Sequence, residues 1–154
     1  MINGLFETHI QVSSLRVSIE FYSALPGLKL ARIDKGRKVA FFWVGKEGEA
    51  MLGLWEKKGQ IYPQHFAFRS STQVILEIAV AILKSLQIDS YNFLQDEHSK
   101  PMVLTWMPAV SIYFRDPDLH ELELIDMLPQ KPRPEFGVVS YEDWMLIQAS
   151  TGLR

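Results

Sequence analysis

Two histidines and a pair of glutamates are the residues of this chain best suited to chemistry. His9 lies in "FETHIQV", His65 in "QHFAFR", and Glu121 and Glu123 in "YFRDPDLHELELID". Two imidazoles with one carboxylate form a hard-to-borderline ligand set with open positions, suited to Fe(II), Mn(II), Zn(II) or Ni(II). A substrate with neighbouring oxygen atoms fits such open positions, where a metal polarises it. Each residue alone has a plainer reading. A lone His on the outer face of a strand is ordinarily solvated, and Glu alternating with Leu is a common solvent-facing pattern. Their placement at corresponding points of two similar segments is what sharpens them.

Those segments follow from hydrophobic periodicity. In "FETHIQV" Phe6, Thr8, Ile10 and Val12 alternate with Glu7, His9 and Gln11, a half-buried strand with His9 on its polar face. "SSLRVSIEFYSALPGL" places Leu15, Ile19 and Tyr22 on one helical stripe, capped by Ser13 or Ser14 and stopped at Pro26-Gly27. "LKLARID", "KVAFFWVG" and "EAMLGLWE" read as three strands separated by polar turns. The order then repeats. "QHFAFR" is a strand with His65, Ala67 and Arg69 on one face. "STQVILEIAVAILKSLQ" is one helix with Val74, Ile75, Ile78, Ile82 and Leu86 as its core stripe. "YNFLQD", "PMVLTWM", "AVSIYFR" and "HELELID" supply further strands. The division is thus residues 1–57 and 58–128 as two βαβββ modules, with 129–154 as a proline-rich segment and short helix, all in one structural domain. The tail "LPQKPRPEFGVV" is expected to be irregular. "SYEDWMLIQAS" is expected to be a helix with Ser140 and Asp143 at capping spacing, packed through Trp144 and Ile147.

Bulk composition narrows the function classes. The chain has 154 residues, 47% hydrophobic and 22% charged, which suits one globular domain with a sizeable core. A net charge of −2 with scattered basic residues argues against nucleic-acid partners and a polybasic membrane surface. No apolar run approaches the ~18 residues of a membrane span. "MINGLFETHI" lacks the basic-then-apolar pattern of a signal peptide. A cytoplasmic location is the expectation. The absence of cysteine excludes disulfides, thiolate ligands and a cysteine nucleophile.

Three stretches carry a family resemblance. "FETHIQVSSLRVSIEFYSALPGLKL" resembles the opening strand, helix and turn of the vicinal oxygen chelate superfamily. "QHFAFR" resembles the opening strand of its second module, and "IYFRDPDLHELELI" its closing hairpin, usually written DPDG followed by a strand with E-L. Together they span roughly residues 4–127. The superfamily contains glyoxalases, bleomycin-resistance proteins, fosfomycin-resistance thiol transferases and extradiol dioxygenases.

The resemblance implies an α+β fold of paired βαβββ modules forming a cup-shaped, half-open mixed β barrel with helices outside. It implies a homodimer and one divalent metal ion (Zn, Ni, Mn or Fe) held by His9, His65 and Glu123, with Glu121 as second choice. The family's fourth ligand position falls on Gly53, a departure from glyoxalase I. The default activity is a glyoxalase-like lyase or isomerase acting on a small substrate with vicinal oxygens. A thiol transferase or ring-cleaving dioxygenase is the alternative. A metal-free, bleomycin-resistance-like protein that binds a drug or metabolite is the alternative of another class. Arg69 and Arg115 are candidates to hold an anionic substrate, and Trp106 and Tyr113 candidate pocket walls. His120 is read as structural and His98 as solvated; no catalytic acid or base is assigned. Leu119 stands where the family has glycine, at a turn position that commonly needs positive φ.

Overall fold

A computed structural model describes residues 1–96 and 98–151. Residue 97, in the second expected module, and residues 152–154, in the C-terminal segment, lie outside the described residues. The chain forms two compact units: residues 1–64 with 116–120, and residues 65–115 with 121–154. Each contains a mixed sheet with helices against one face, an α+β architecture. Among the described residues no helix is long and apolar enough to cross a membrane.

The first unit begins with β1 (Glu7–Val12), whose exposure alternates as its sequence does: Ile10 and Val12 are buried while His9 and Gln11 are not. Helix α1 (Leu15–Ala24) is capped by Ser14, whose hydroxyl accepts from the Val17 amide. After it, Gly27 takes φ +91°, a turn conformation that glycine adopts without a Cβ penalty. Strands β2 (Leu28–Asp34), β3 (Val39–Val44) and β4 (Met51–Glu56) complete a sheet of order β1-β4-β3-β2. β1 runs parallel to β4 and the other pairs are antiparallel. The α1 side buries Tyr22, Phe42, Leu52 and Leu54 completely. His9, paired with Gly53 and thence with Phe41, belongs to the opposite face.

Residues 116–120 fold into this unit through polar contacts. Asp116 is buried and accepts from the Tyr22 hydroxyl at 2.9 Å, the His120 amide at 2.8 Å and the Asp118 amide at 3.0 Å. Burial raises the Asp116 carboxyl above its usual range, and the Tyr22 bond pulls it partly back. His120 is fully buried. Its Nδ1 accepts from the Gln64 amide at 3.0 Å, so Nε2 carries the proton and donates to the Gln11 carbonyl at 2.8 Å. Its expected structural role is therefore met as a two-sided tie. Leu119 has φ +66° and is 61% exposed. The turn keeps its left-handed geometry and leucine bears the strain.

The second unit opens with β5 (His65–Arg69), followed by α2 (Thr72–Glu77) and α3 (Ala79–Ser85). The single expected helix is thus broken at Ile78, which has φ −124° and is 41% exposed. Of the expected stripe only Ile75 is fully buried; Ala79 and Leu83 complete the buried face in place of Ile78, Ile82 and Leu86. Apolar residues surround this segment, so periodicity could not select the inner face, and β-branched residues near the break weaken helix propensity. β6 is only Ser90–Tyr91, shorter than "YNFLQD" suggested. β7 (Met102–Leu104), β8 (Ala109–Arg115) and β9 (Glu121–Met127) follow.

The tail departs from expectation. After a single 3-10 turn at Pro134–Phe136 and Gly137 at φ +65°, residues Val138–Ser140 form β10, antiparallel to β7. The prolines end at Pro134, leaving the next amides free to pair. Helix α4 (Tyr141–Thr151) follows; the Asp143 amide donates to Ser140 Oγ at 3.0 Å, and that hydroxyl donates to the Asp143 carboxylate at 2.8 Å. Trp144 is fully buried in a core with Ile75, Ala79, Val103, Val110, Ile112 and Leu128. The sheet order is β10-β7-β8-β9-β5, with β6 also on β8.

Two stability outcomes follow. Leu119→Gly relieves the positive φ and loses little packing, so it is expected to stabilise the protein by up to about 1 kcal/mol, read as a higher urea midpoint. Tyr22→Phe leaves buried Asp116 one donor short and is expected to cost about 1–3 kcal/mol in the same measurement.

Candidate functional site

In the second unit, parallel pairing of β5 with β9 sets His65 beside Glu121 and Ala67 beside Glu123. Antiparallel pairing of β9 with β8 adds Arg115 to the first row and Tyr113 to the second, and Tyr91 of β6 extends the second row. Partners directly across a sheet share a face, so these rows form one continuous surface.

His65 and Glu123 meet on it. His65 Nε2 lies 3.2 Å from Glu123 Oε2. His65 Nδ1 lies 3.1 Å from the Glu121 carbonyl oxygen, which can only accept, so Nδ1 carries the proton. In the neutral ring Nε2 then presents a lone pair to a carboxylate oxygen. Glu123 is 4% exposed, and its Oε1 has no hydrogen-bond partner. The Glu123 side chain is buried on the face opposite the helices, with Tyr113 across from it on β8. A buried carboxylate short of partners is costly unless a proton or cation joins it.

The aromatic surround is centred on Tyr113. Tyr91 stacks on it with centroids 5.7 Å apart, and the His65 and Phe93 rings lie at 5.9 and 6.5 Å. Burial pushes the Tyr113 hydroxyl pKa upward, and the Glu123 carboxylate adds to the effect. Glu121 is engaged differently. Its Oε1 accepts from Arg115 Nη2 at 3.1 Å and from the Tyr91 hydroxyl at 3.2 Å, while the guanidinium lies 4.8 Å above the Tyr91 ring. Arg115 thus shares a row with Glu121 and His65, with its charge already matched by Glu121. Arg69, paired with Ile125 and four residues beyond His65, is ~13 Å further along the strand. Trp106 is 62% exposed in the turn between β7 and β8, at the opposite end of β8 from Arg115. Neither is brought to the His65–Glu123 pair. Tyr91 and Phe93 were not foreseen, since a two-residue strand pairing out of order leaves no periodic signal.

In the first unit, His9 lies flat over Gly53. A Cβ at that glycine would come within 3.0 Å of His9 Nδ1 and 3.2 Å of Cε1. The Trp55 indole N–H donates to Nδ1, its ring stacked with the imidazole at 25°, and Nε2 lies 3.1 Å from Glu7 Oε1. Beside it is a cleft of about 500 Å³ lined by His9, Gln11, Trp55, Lys57, Tyr62 and Gln64. Glu56 and Glu49 are committed elsewhere: Glu56 accepts from the Leu15 amide at 3.0 Å and from Lys38 at 3.2 Å, and Glu49 faces Lys46 at 3.9 Å. His98 is exposed. Among the described residues, no three His, Asp or Glu side chains converge as a metal-holding group.

No family model matches the chain, nor does any curated protein. Solved structures do. An integron cassette protein from the mobile metagenome of Halifax Harbour sewage outfall is 32% identical over 82% of this chain and all of that one, with a TM-score of 0.70. A lactoylglutathione lyase from Agrobacterium tumefaciens is 21% identical over 80% of this chain and 93% of that one, TM-score 0.61. The fosfomycin resistance protein FosX from Listeria monocytogenes is 21% identical over 83% and 94%, TM-score 0.63. The chain shares its fold with glyoxalase and fosfomycin-resistance proteins, the fold expected from its motifs. At that identity the lyase and FosX carry nothing about its reaction. Gly53, which the resemblance matches to a fourth ligand position, lies beneath the His9 ring, and the ring occupies the space a side chain there would need.

Glu123→Gln turns a side-chain N–H toward His65 Nε2 and removes a buried charge. In EDTA at pH 8 it is expected to stabilise the protein by about 1 kcal/mol in urea unfolding; destabilisation would mean that the pair is an imidazolium–carboxylate bridge.

Proposed function

We propose that this protein is a divalent-metal-dependent enzyme acting on a small substrate with neighbouring oxygen atoms, with His9, His65 and Glu123 as its ligand set. One observation carries this reading: buried Glu123 has an oxygen without a partner and stands 3.2 Å from the lone-pair nitrogen of His65. Such a pair calls for a cation, and the Glu121 carbonyl orients the His65 ring as an outer hydrogen bond orients a metal-binding imidazole. Nitrogen and oxygen donors suit Zn, Ni, Mn or Fe. The metal would supply Lewis acidity to the substrate's oxygens.

The chain's own residues do the rest. Glu123 places a carboxylate oxygen without a partner in a buried setting. Tyr113 keeps its proton and offers a donor hydroxyl beside the carboxylate. The Tyr91, Tyr113 and Phe93 rings cluster on one side of it. A glyoxalase-like lyase or isomerase is the default reaction; glycine at the fourth ligand position supports the three-ligand thiol transferases or dioxygenases as alternatives. Assembly as a homodimer is part of the proposal. A second reading, a metal-free protein binding a drug or metabolite, is favoured by the engagement of both His9 nitrogens and by the aromatic cleft beside them.

Elemental analysis of tag-free protein purified without added metal separates the two. The expected outcome is near-stoichiometric metal in the wild type, lost in His65→Ala, with a metal-dependent rise in Tm. No metal in either, and no thermal shift with excess Mn, Fe, Zn or Ni, favours the binding protein.

A further inference from the structure

His9 is held in one orientation by groups outside the proposed ligand set. An indole N–H can only donate, so the Trp55 bond requires a lone pair on His9 Nδ1. The proton of the neutral ring is then on Nε2, where Glu7 Oε1 accepts it at 3.1 Å. Beneath the ring is Gly53, the one residue type that lets an imidazole lie this close to β4. Trp55 is itself held: the Arg37 guanidinium sits 5.8 Å from its ring centre and is anchored by Asp34 at 2.9 Å.

A metal ion can use either nitrogen of His9, and both routes meet Trp55. Coordination through Nδ1 takes away the acceptor of the indole. Coordination through Nε2 displaces the Glu7 bond and moves the ring proton to Nδ1, where it faces the indole N–H, donor against donor. An uncharged imidazole has no third arrangement. Metal uptake at His9 and the Trp55 hydrogen bond therefore exclude each other.

We propose that Trp55 is a positioning residue that holds His9 out of coordination, so that a metal takes His9 as a ligand only as the indole releases the imidazole. This inference rests on the metal reading proposed above. It assigns Trp55 a role that its aromatic character alone did not suggest, since a strand tryptophan is ordinarily core. The hydrogen bond lowers the metal affinity of the wild-type chain relative to a chain without it.

The test is Trp55→Phe, which keeps an aromatic ring against His9 and removes the N–H. Binding of Zn(II) and of Mn(II) is measured by calorimetry on tag-free, metal-stripped protein for wild type, Trp55→Phe, His9→Ala and the double variant. Trp55→Phe is expected to bind roughly three- to tenfold more tightly than wild type, the worth of one neutral hydrogen bond. The gain is expected to vanish in the His9→Ala background. Unchanged or weaker binding by Trp55→Phe, or the same gain without His9, overturns the proposal. A second measurement needs no metal. The nitrogen resonances of ¹⁵N-histidine-labelled protein are expected to show His9 as the Nε2–H tautomer in wild type and as a mixture in Trp55→Phe. A mixed or Nδ1–H His9 in the wild type overturns the clamp. If no variant takes up metal, the metal reading fails and the gating role falls with it, while the tautomer still decides whether Trp55 clamps His9.

Discussion

Parallel pairing of β5 with β9 aligns His65 with Glu121 and Ala67 with Glu123, and the second unit is organised around that alignment. The two strands are far apart in sequence, so no local preference sets their register. The apolar face sets it: Phe66 and Phe68 must lie beside Leu122 and Leu124 on the helix side. A slip of one residue would send Glu123 into the core and expose the leucines. Held in register, β9 delivers one glutamate to Arg115 and Tyr91 and the next to His65. Two carboxylates two residues apart thus acquire different surroundings: Glu121 is matched by a cation and a hydroxyl, and Glu123 is buried with an oxygen left over.

Electrostatics in the first unit follows an opposite principle. Asp116 is as buried as Glu123, but it collects a phenol and two amides, and His120 uses both ring nitrogens on backbone groups. No buried side-chain nitrogen or oxygen of this turn is left without a partner. Asp116 and His120 are structural because they are satisfied; Glu123 invites a functional reading because it is not. Leu119 shows what a satisfied frame tolerates, a leucine kept in left-handed backbone by the bonds on either side of it.

His9 and His65 are the same residue type at corresponding places in two βαβ segments, yet their rings are in opposite tautomers. A backbone carbonyl takes the Nδ1 proton of His65 and frees Nε2. An indole N–H occupies Nδ1 of His9 and sends the proton to Nε2. Which nitrogen is available for chemistry is decided by one neighbour in each case, a backbone atom in the first and a tryptophan in the second. The glycine under His9 completes the difference, since any side chain there would lift the ring from its seat.

Strand alternation around His9 and His65, the Pro26-Gly27 stop, the Ser140–Asp143 cap and the hairpin at Asp116 were all legible in the chain, because each depends on residues within one turn or one strand. The family resemblance was legible for the same reason: its motifs are local. What the chain could not show depends on partners distant in sequence. The inner face of the segment after Ser71 is ambiguous where apolar residues surround the helix, and the break at Ile78 emerges only when Ile75 and Ala79 meet Trp144. The strand at Val138–Ser140 exists because β7 offers it an edge. The sequence by itself determined which side chains could act as ligands. Tertiary structure decided that Glu123 is buried beside His65 and that Trp55 occupies His9, because burial and tautomer are properties of neighbours that only the folded chain brings together.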